Sequence, residues 1–104
     1  MARTGKSTIA TKEMSDRLYE AILKLRTKEE CYNFFQDLCT ISELRSMEQR
    51  YEVAVLLDSG MIYSDILGQT GASSATISRV NRALISGTGG YELVLERMKE
   101  QEQK

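Results

Sequence analysis

The sequence predicts an all-α fold. Three observations carry that expectation: apolar residues recur at helical spacing along most of the chain, two T-x-x-E boxes stand immediately before apolar runs, and no segment alternates apolar and polar residues as a half-buried strand does. In the first helix Leu18, Ile22 and Leu25 fall at i, i+4 and i+7 and line one face. Thr27 and Glu30 form a capping box before Cys31, Phe34, Phe35 and Leu38, which opens the second helix. Thr40 and Glu43 repeat the device and open the third, which runs through Met47, Tyr51, Ala54 and Val55 to a stop at Ser59-Gly60. A short fourth helix near Tyr63 and a fifth ending before Gly87-Thr88-Gly89-Gly90 follow. A sixth is built on Tyr91, Val94, Leu95 and Met98.

Size and composition bound the function. The chain has 104 residues, 41% hydrophobic and 28% charged, with 14 Lys+Arg against 15 Asp+Glu. That fits one domain, expected over residues 13–104, whose thin core invites help from a second subunit. Residues 1–12 carry Arg3, Lys6 and Lys12 with no acid, and read as a flexible basic arm. Histidine, tryptophan and proline are absent, which removes histidine-activated nucleophiles and histidine-ligated zinc. Glu29, Glu43 and Glu48 read as caps and solvated faces, no two forced together by spacing, so no catalytic residue is assigned and the chain is not read as an enzyme. No metal site and no cofactor is expected.

Cys31 and Cys39 are too far apart along one helix for a disulfide and too few for a metal cage, and read as small apolar core residues in a reducing compartment. Met1 to Ala10 has no apolar run of signal-peptide length and no segment approaches a membrane span, so a cytoplasmic protein without a membrane partner is expected. In helices one to three the apolar residues exceed a single stripe: Tyr32 flanks Phe34 and Phe35, and Val53, Val55, Leu56 and Leu57 cover more than half a turn. Such helices need cover on two sides. In so short a chain the second cover is most economically another copy, giving a two-fold homodimer.

Function concentrates in residues 62–86, where a short helix, a turn and a second helix form a helix-turn-helix pattern. Ile66, Thr70, Ala72, Ile77 and Val80 are its inward positions, and Gly71 supplies the tight turn. Ser73 is the expected N-cap of the second helix, 74–86, leaving further amides and the positive dipole end free for a phosphate or base edge. Its outward face is Ser73, Ser74, Ala75, Thr76, Ser78, Arg79 and Arg82, with no acid from Ala72 to Tyr91. Short side chains let the backbone approach base edges, and arginine donates two parallel bonds to guanine or clamps a phosphate. The expected partner is therefore double-stranded DNA. A helical protein-interaction module that has lost DNA binding is the alternative, and it too accommodates a solvated Ser/Thr-rich helix start.

Cys31-Tyr-Asn-Phe-Phe-Gln-Asp-Leu-Cys-Thr-Ile-Ser-Glu-Leu44, Gln49-Arg-Tyr-Glu-Val-Ala54 and Gly71-Ala-Ser-Ser-Ala-Thr-Ile-Ser-Arg-Val80 together resemble the YerC/YecD branch of the Trp repressor-like superfamily, over about Leu18 to Met98. The resemblance implies a six-helix, intertwined homodimer that binds operator DNA as a bacterial transcriptional regulator, with a repressor the expected sense. In Trp repressors tryptophan sits between the third helix and the second helix of the helix-turn-helix. By the resemblance, Thr40, Arg50 and Arg79 match residues of that pocket, while Val80 replaces a glycine that leaves space for the indole and Ala83 replaces a serine that holds the ammonium end. A valine at that position would fill the ligand's volume, so tryptophan is rejected as effector and any other small-molecule effector is left unnamed. Ala75, Thr76 and Ser78 match positions that approach the operator. Ser74 replaces a larger apolar residue, and Ser64 and Leu67 replace basic ones, so the preferred DNA sequence is expected to differ from the trp operator.

Overall fold

A computed structural model describes the backbone of residues 4–102 and the side chains of residues 11–102. Six helices make up the described chain: α1 (Thr4–Ile22), α2 (Lys28–Leu38), α3 (Ile41–Asp58), α4 (Tyr63–Thr70), α5 (Ser74–Ser86) and α6 (Gly90–Glu102), with no strand among the described residues. Each helix predicted from the sequence is found. By its internal packing the chain divides into two compact units, Met1–Thr40 and Ile41–Lys104.

In the first unit, α1 reaches back to Thr4, so most of the segment expected to be a flexible arm is helical; nothing in it interrupts a helix, since the chain has no proline. Arg3 lies outside the described residues, as does the side chain of Lys6. The helix ends at Ile22, one turn earlier than the apolar spacing suggested, and Leu25 falls in the connection to α2. Thr27 caps α2 as expected, its hydroxyl accepting the Glu30 amide at 3.0 Å. The reciprocal bond is displaced by one residue: the Glu30 carboxylate accepts the amide of Arg26 at 2.8 Å rather than that of Thr27. Phe34 and Phe35 stack edge to face, 5.4 Å between centroids at 83°, a favourable quadrupole geometry.

No residue of α2 is buried, and among the described side chains of α1 none is either. Leu23 is 82% exposed, and Met14, Tyr19, Tyr32 and Leu38 are also open. Cys31, expected in a core, is exposed and Cys39 is half-buried. The core reading of Cys31 is therefore corrected: within one chain its side chain is open, and that of Cys39 is only partly covered.

The second unit holds the core. Val53 and Ala54 of α3, Ile66 of α4, Ala72 of the turn, Ile77 and Val80 of α5 and Leu95 of α6 are buried and packed together, with Tyr51, Val55, Leu56, Leu57, Met61, Leu84 and Tyr91 around them. α3 is the scaffold on which α4 and α5 lie, and α6 packs on α5. Asp58 at the end of α3 receives the Lys99 ammonium of α6 at 2.8 Å, and the carboxylate beside it raises the Lys99 pKa from its ordinary value. No helix among the described residues is long and apolar enough to cross a membrane.

Candidate nucleic-acid interface

The helix-turn-helix is assembled from local signals that agree with one another. α4 opens after Ile62, whose carbonyl receives the amides of Asp65 and Ile66, without a side-chain cap. It closes on Gly71, whose φ of 72° lies in the left-handed region; an L side chain there costs roughly 1–2 kcal/mol, so glycine is the residue that turns the chain without strain. The Gly71 amide returns to the Leu67 carbonyl at 2.9 Å. The Thr70 hydroxyl donates to the Ile66 carbonyl at 2.8 Å and accepts the Ala72 amide at 3.1 Å. From α3, the Gln49 side-chain amide donates to the Thr70 carbonyl at 3.2 Å. Ala72 and Ile66 are buried beside these bonds, so the turn is fixed on its apolar side by packing and on its polar side by directed hydrogen bonds.

Ser73 begins α5. Its hydroxyl accepts the Thr76 amide at 3.1 Å and donates to the Thr76 hydroxyl at the same distance. A cap of this kind satisfies one of the amides that a helix start leaves without an internal partner, while others still face outward. α5 then splits by face. Ile77 and Val80 are buried against α3; Ser74, Ala75, Arg79 and Arg82 are exposed; Thr76 and Ser78 are half-buried along the boundary. The seven outward residues expected from the sequence thus include five open positions and two that share the edge with the core.

Neither Arg79 nor Arg82 has an ion pair or side-chain hydrogen bond among the described residues, and no acid occurs from Ala72 to Tyr91. Both guanidiniums are free to meet an anion. α5 ends at Gly87, where an added Cβ would collide with the Ala83 carbonyl that the Gly87 amide already bonds.

The residues matched to a tryptophan pocket are distributed unevenly. Val80 is 2% exposed and belongs to the core. Arg50 and Ala83 are half-buried, Arg79 is exposed, and Thr40 closes the first unit just before α3. Ala83 also lines an apolar groove of about 510 Å³ with Tyr51, Tyr91 and Val94. Among the described residues no cluster of acids and cysteines has a metal-holding arrangement.

Two interactions were not expected from the sequence, the Gln49–Thr70 bond and the Lys99–Asp58 pair. The first joins residues 21 apart, the second joins helix ends that only tertiary packing brings together, and neither has a local signature.

The comparisons with known proteins agree with this architecture. The family model described as Trp repressor protein matches residues 13–99. The uncharacterized protein YerC of Bacillus subtilis (strain 168) is 54% identical over 87 residues, covering 84% of each chain. Among solved structures, a candidate Trp repressor from Staphylococcus aureus is 47% identical with a TM-score of 0.81, over 84% of this chain and 87% of that one. A TrpR-like protein from Eubacterium eligens ATCC 27750 is 49% identical at the same TM-score, over 84% and 90%. With the family model matched over residues 13–99, which reaches into both units, this chain belongs to the Trp repressor protein family.

Proposed function

We propose that the chain is a homodimeric, sequence-specific DNA-binding transcriptional regulator, a repressor in sense, whose recognition helix α5 enters the major groove without tryptophan as co-ligand. The observation that carries this reading is α5 itself: a capped start of short side chains, two unpaired arginines on the open side, and no acid on the helix or its flanks. Membership of a family named for DNA-binding repressors supports it.

The first unit supports the dimer. Tyr19 of α1, Leu23 just beyond it, and Tyr32 and Leu38 of α2 are exposed apolar side chains, and in proteins packing rather than propensity supplies most of a helix's stability. A second copy, related by a two-fold axis, buries both sets at once, and a helix-turn-helix dimer on a near-palindromic site places its two recognition helices about one turn of duplex apart, roughly 34 Å.

Exclusion of tryptophan rests on Val80. Its side chain lies in the core with Val53, Ile66 and Ile77, and a valine there occupies volume that a pocket for an indole would need to keep empty. Titration calorimetry with L-tryptophan is expected to give no binding heat, and DNA affinity is expected to be the same with and without it.

The DNA reading is tested by selecting bound fragments from genomic DNA and measuring their affinity across a salt series for wild type and Arg82→Ala. Loss of one phosphate contact lowers the slope of log K against log salt by about one. An unchanged slope removes Arg82 from the interface. No enriched fragment, together with a co-purifying protein, would replace DNA with a protein partner.

A further inference from the structure

The hydrogen-bonded chain that closes the helix-turn-helix turn is more elaborate than a turn requires. Gly71 alone provides the conformation, and Ile66, Ala72, Ile77 and Val80 alone provide the packing. Yet α3 also sends the half-buried Gln49 amide to the Thr70 carbonyl, which has no donor within α4, and the Thr70 hydroxyl ties the Ile66 carbonyl to the Ala72 amide. We propose that Gln49 and Thr70 are positioning residues for base recognition, fixing the angle at which α5 leaves the turn; this rests on the DNA-binding reading above.

Geometry makes that angle consequential. A residue seven positions along α5 lies about 10 Å from the turn, so a pivot of about 10° displaces it by about 1.7 Å. Hydrogen bonds to base edges tolerate about 0.5 Å of distance and weaken steeply with misalignment, whereas a long arginine follows a phosphate through such a shift. Apolar packing is non-directional and holds α5 on α3 without setting the pivot to that accuracy. The three bonds around Thr70 are directional, and together they connect α3, α4 and the first residue after Gly71.

The surroundings separate this role from simple support of the fold. A cleft of about 440 Å³, lined by Arg45, Glu48, Gln49, Glu52, Gln69 and Thr70, opens on the Gln49 bond. Water therefore reaches the Thr70 carbonyl when the glutamine is removed, and the carbonyl is hydrated rather than left orphaned. Gln49→Leu is accordingly a folded variant with a freed turn.

The test compares wild type, Gln49→Leu, Thr70→Val and Thr70→Ser well below their melting temperatures, using a selected genomic fragment and a scrambled duplex. The ratio of specific to non-specific affinity is expected to fall about three- to tenfold in Gln49→Leu and Thr70→Val, the worth of one hydrogen bond. The salt slope should stay that of wild type because no phosphate contact is lost, and Thr70→Ser, which keeps the hydroxyl, should retain the ratio. Equal losses on both duplexes, or an unchanged ratio in the folded variants, would overturn the proposal. Amide exchange without DNA supplies the independent arm: Ala72 is expected to exchange faster in Thr70→Val, and unchanged protection also overturns it. If wild type prefers no fragment, the positioning role falls with the DNA reading, and accelerated Ala72 exchange then assigns the failure to that reading rather than to the turn.

Discussion

The two units of this chain use the same local devices and reach opposite ends. Each has a helix with a hydroxyl N-cap, Thr27 on α2 and Ser73 on α5, and each has apolar residues at helical spacing. In residues 41–104 those apolar residues meet: Val53, Ile66, Ile77 and Val80 are buried within one chain. In residues 1–40 none of the described side chains is buried. An amphipathic pattern announces that a face will be covered without naming the cover. In the second unit the cover is the rest of the chain, and in the first we assign it to a second copy.

The sharpest way to break this contrast is to damage both units alike. Ile66→Ala empties a site in the core and is expected to cost about 2–5 kcal/mol in urea denaturation, enough to unfold a domain of ordinary marginal stability. Phe34→Ala, on a half-buried ring, should cost about 1.5–3 kcal/mol if a partner completes its burial, and the wild-type melting temperature should then rise with protein concentration. A melting temperature independent of concentration, with sedimentation giving a single-chain mass, would leave α1 and α2 uncovered and end the dimer assignment.

The caps sharpen the comparison from the other side. Thr27→Ala and Ser73→Ala remove equivalent hydroxyl-to-amide bonds and should each cost about 1 kcal/mol, because a cap acts within one helical turn. If only one of the two matters, the units differ in local as well as tertiary stability.

The smallest effect is expected from Lys99 and Asp58. The pair is solvent-exposed, and its Lys99 pKa is raised above the ordinary 10.5, chiefly by the hydrogen bond that the ammonium donates to Asp58 and then by the charge of that carboxylate. A raised pKa means that the contribution is fully present below 10.5 and is lost as pH rises through the folded value. The pair should therefore add no pH dependence to the melting temperature near neutrality and a slight loss in strong alkali, a loss absent in Lys99→Met.

Within the site, what could be read from the letters was what depends on neighbours in sequence. Gly71 at the turn, Ser73 at the cap, and the inward set of Ile66, Ala72, Ile77 and Val80 are all consequences of local dihedral preference and helical period, and all are found in place. The half-burial of Thr76 and Ser78 was not readable, because it depends on how neighbouring helices pack along α5. The cysteines were misjudged for a related reason: a preference for burial is an average over folds, and here Cys31 is exposed and Cys39 half-buried.

Helix number, helix order, capping and the composition of the open face of α5 were thus contained in the sequence, since each depends on interactions within a few residues. The division into two units, the Gln49–Thr70 bond that closes the turn, and the pairing of Lys99 with Asp58 came only from the three-dimensional arrangement. Those features join residues far apart in the chain, and the energy that selects them is that of packing one helix on another, which no local pattern encodes.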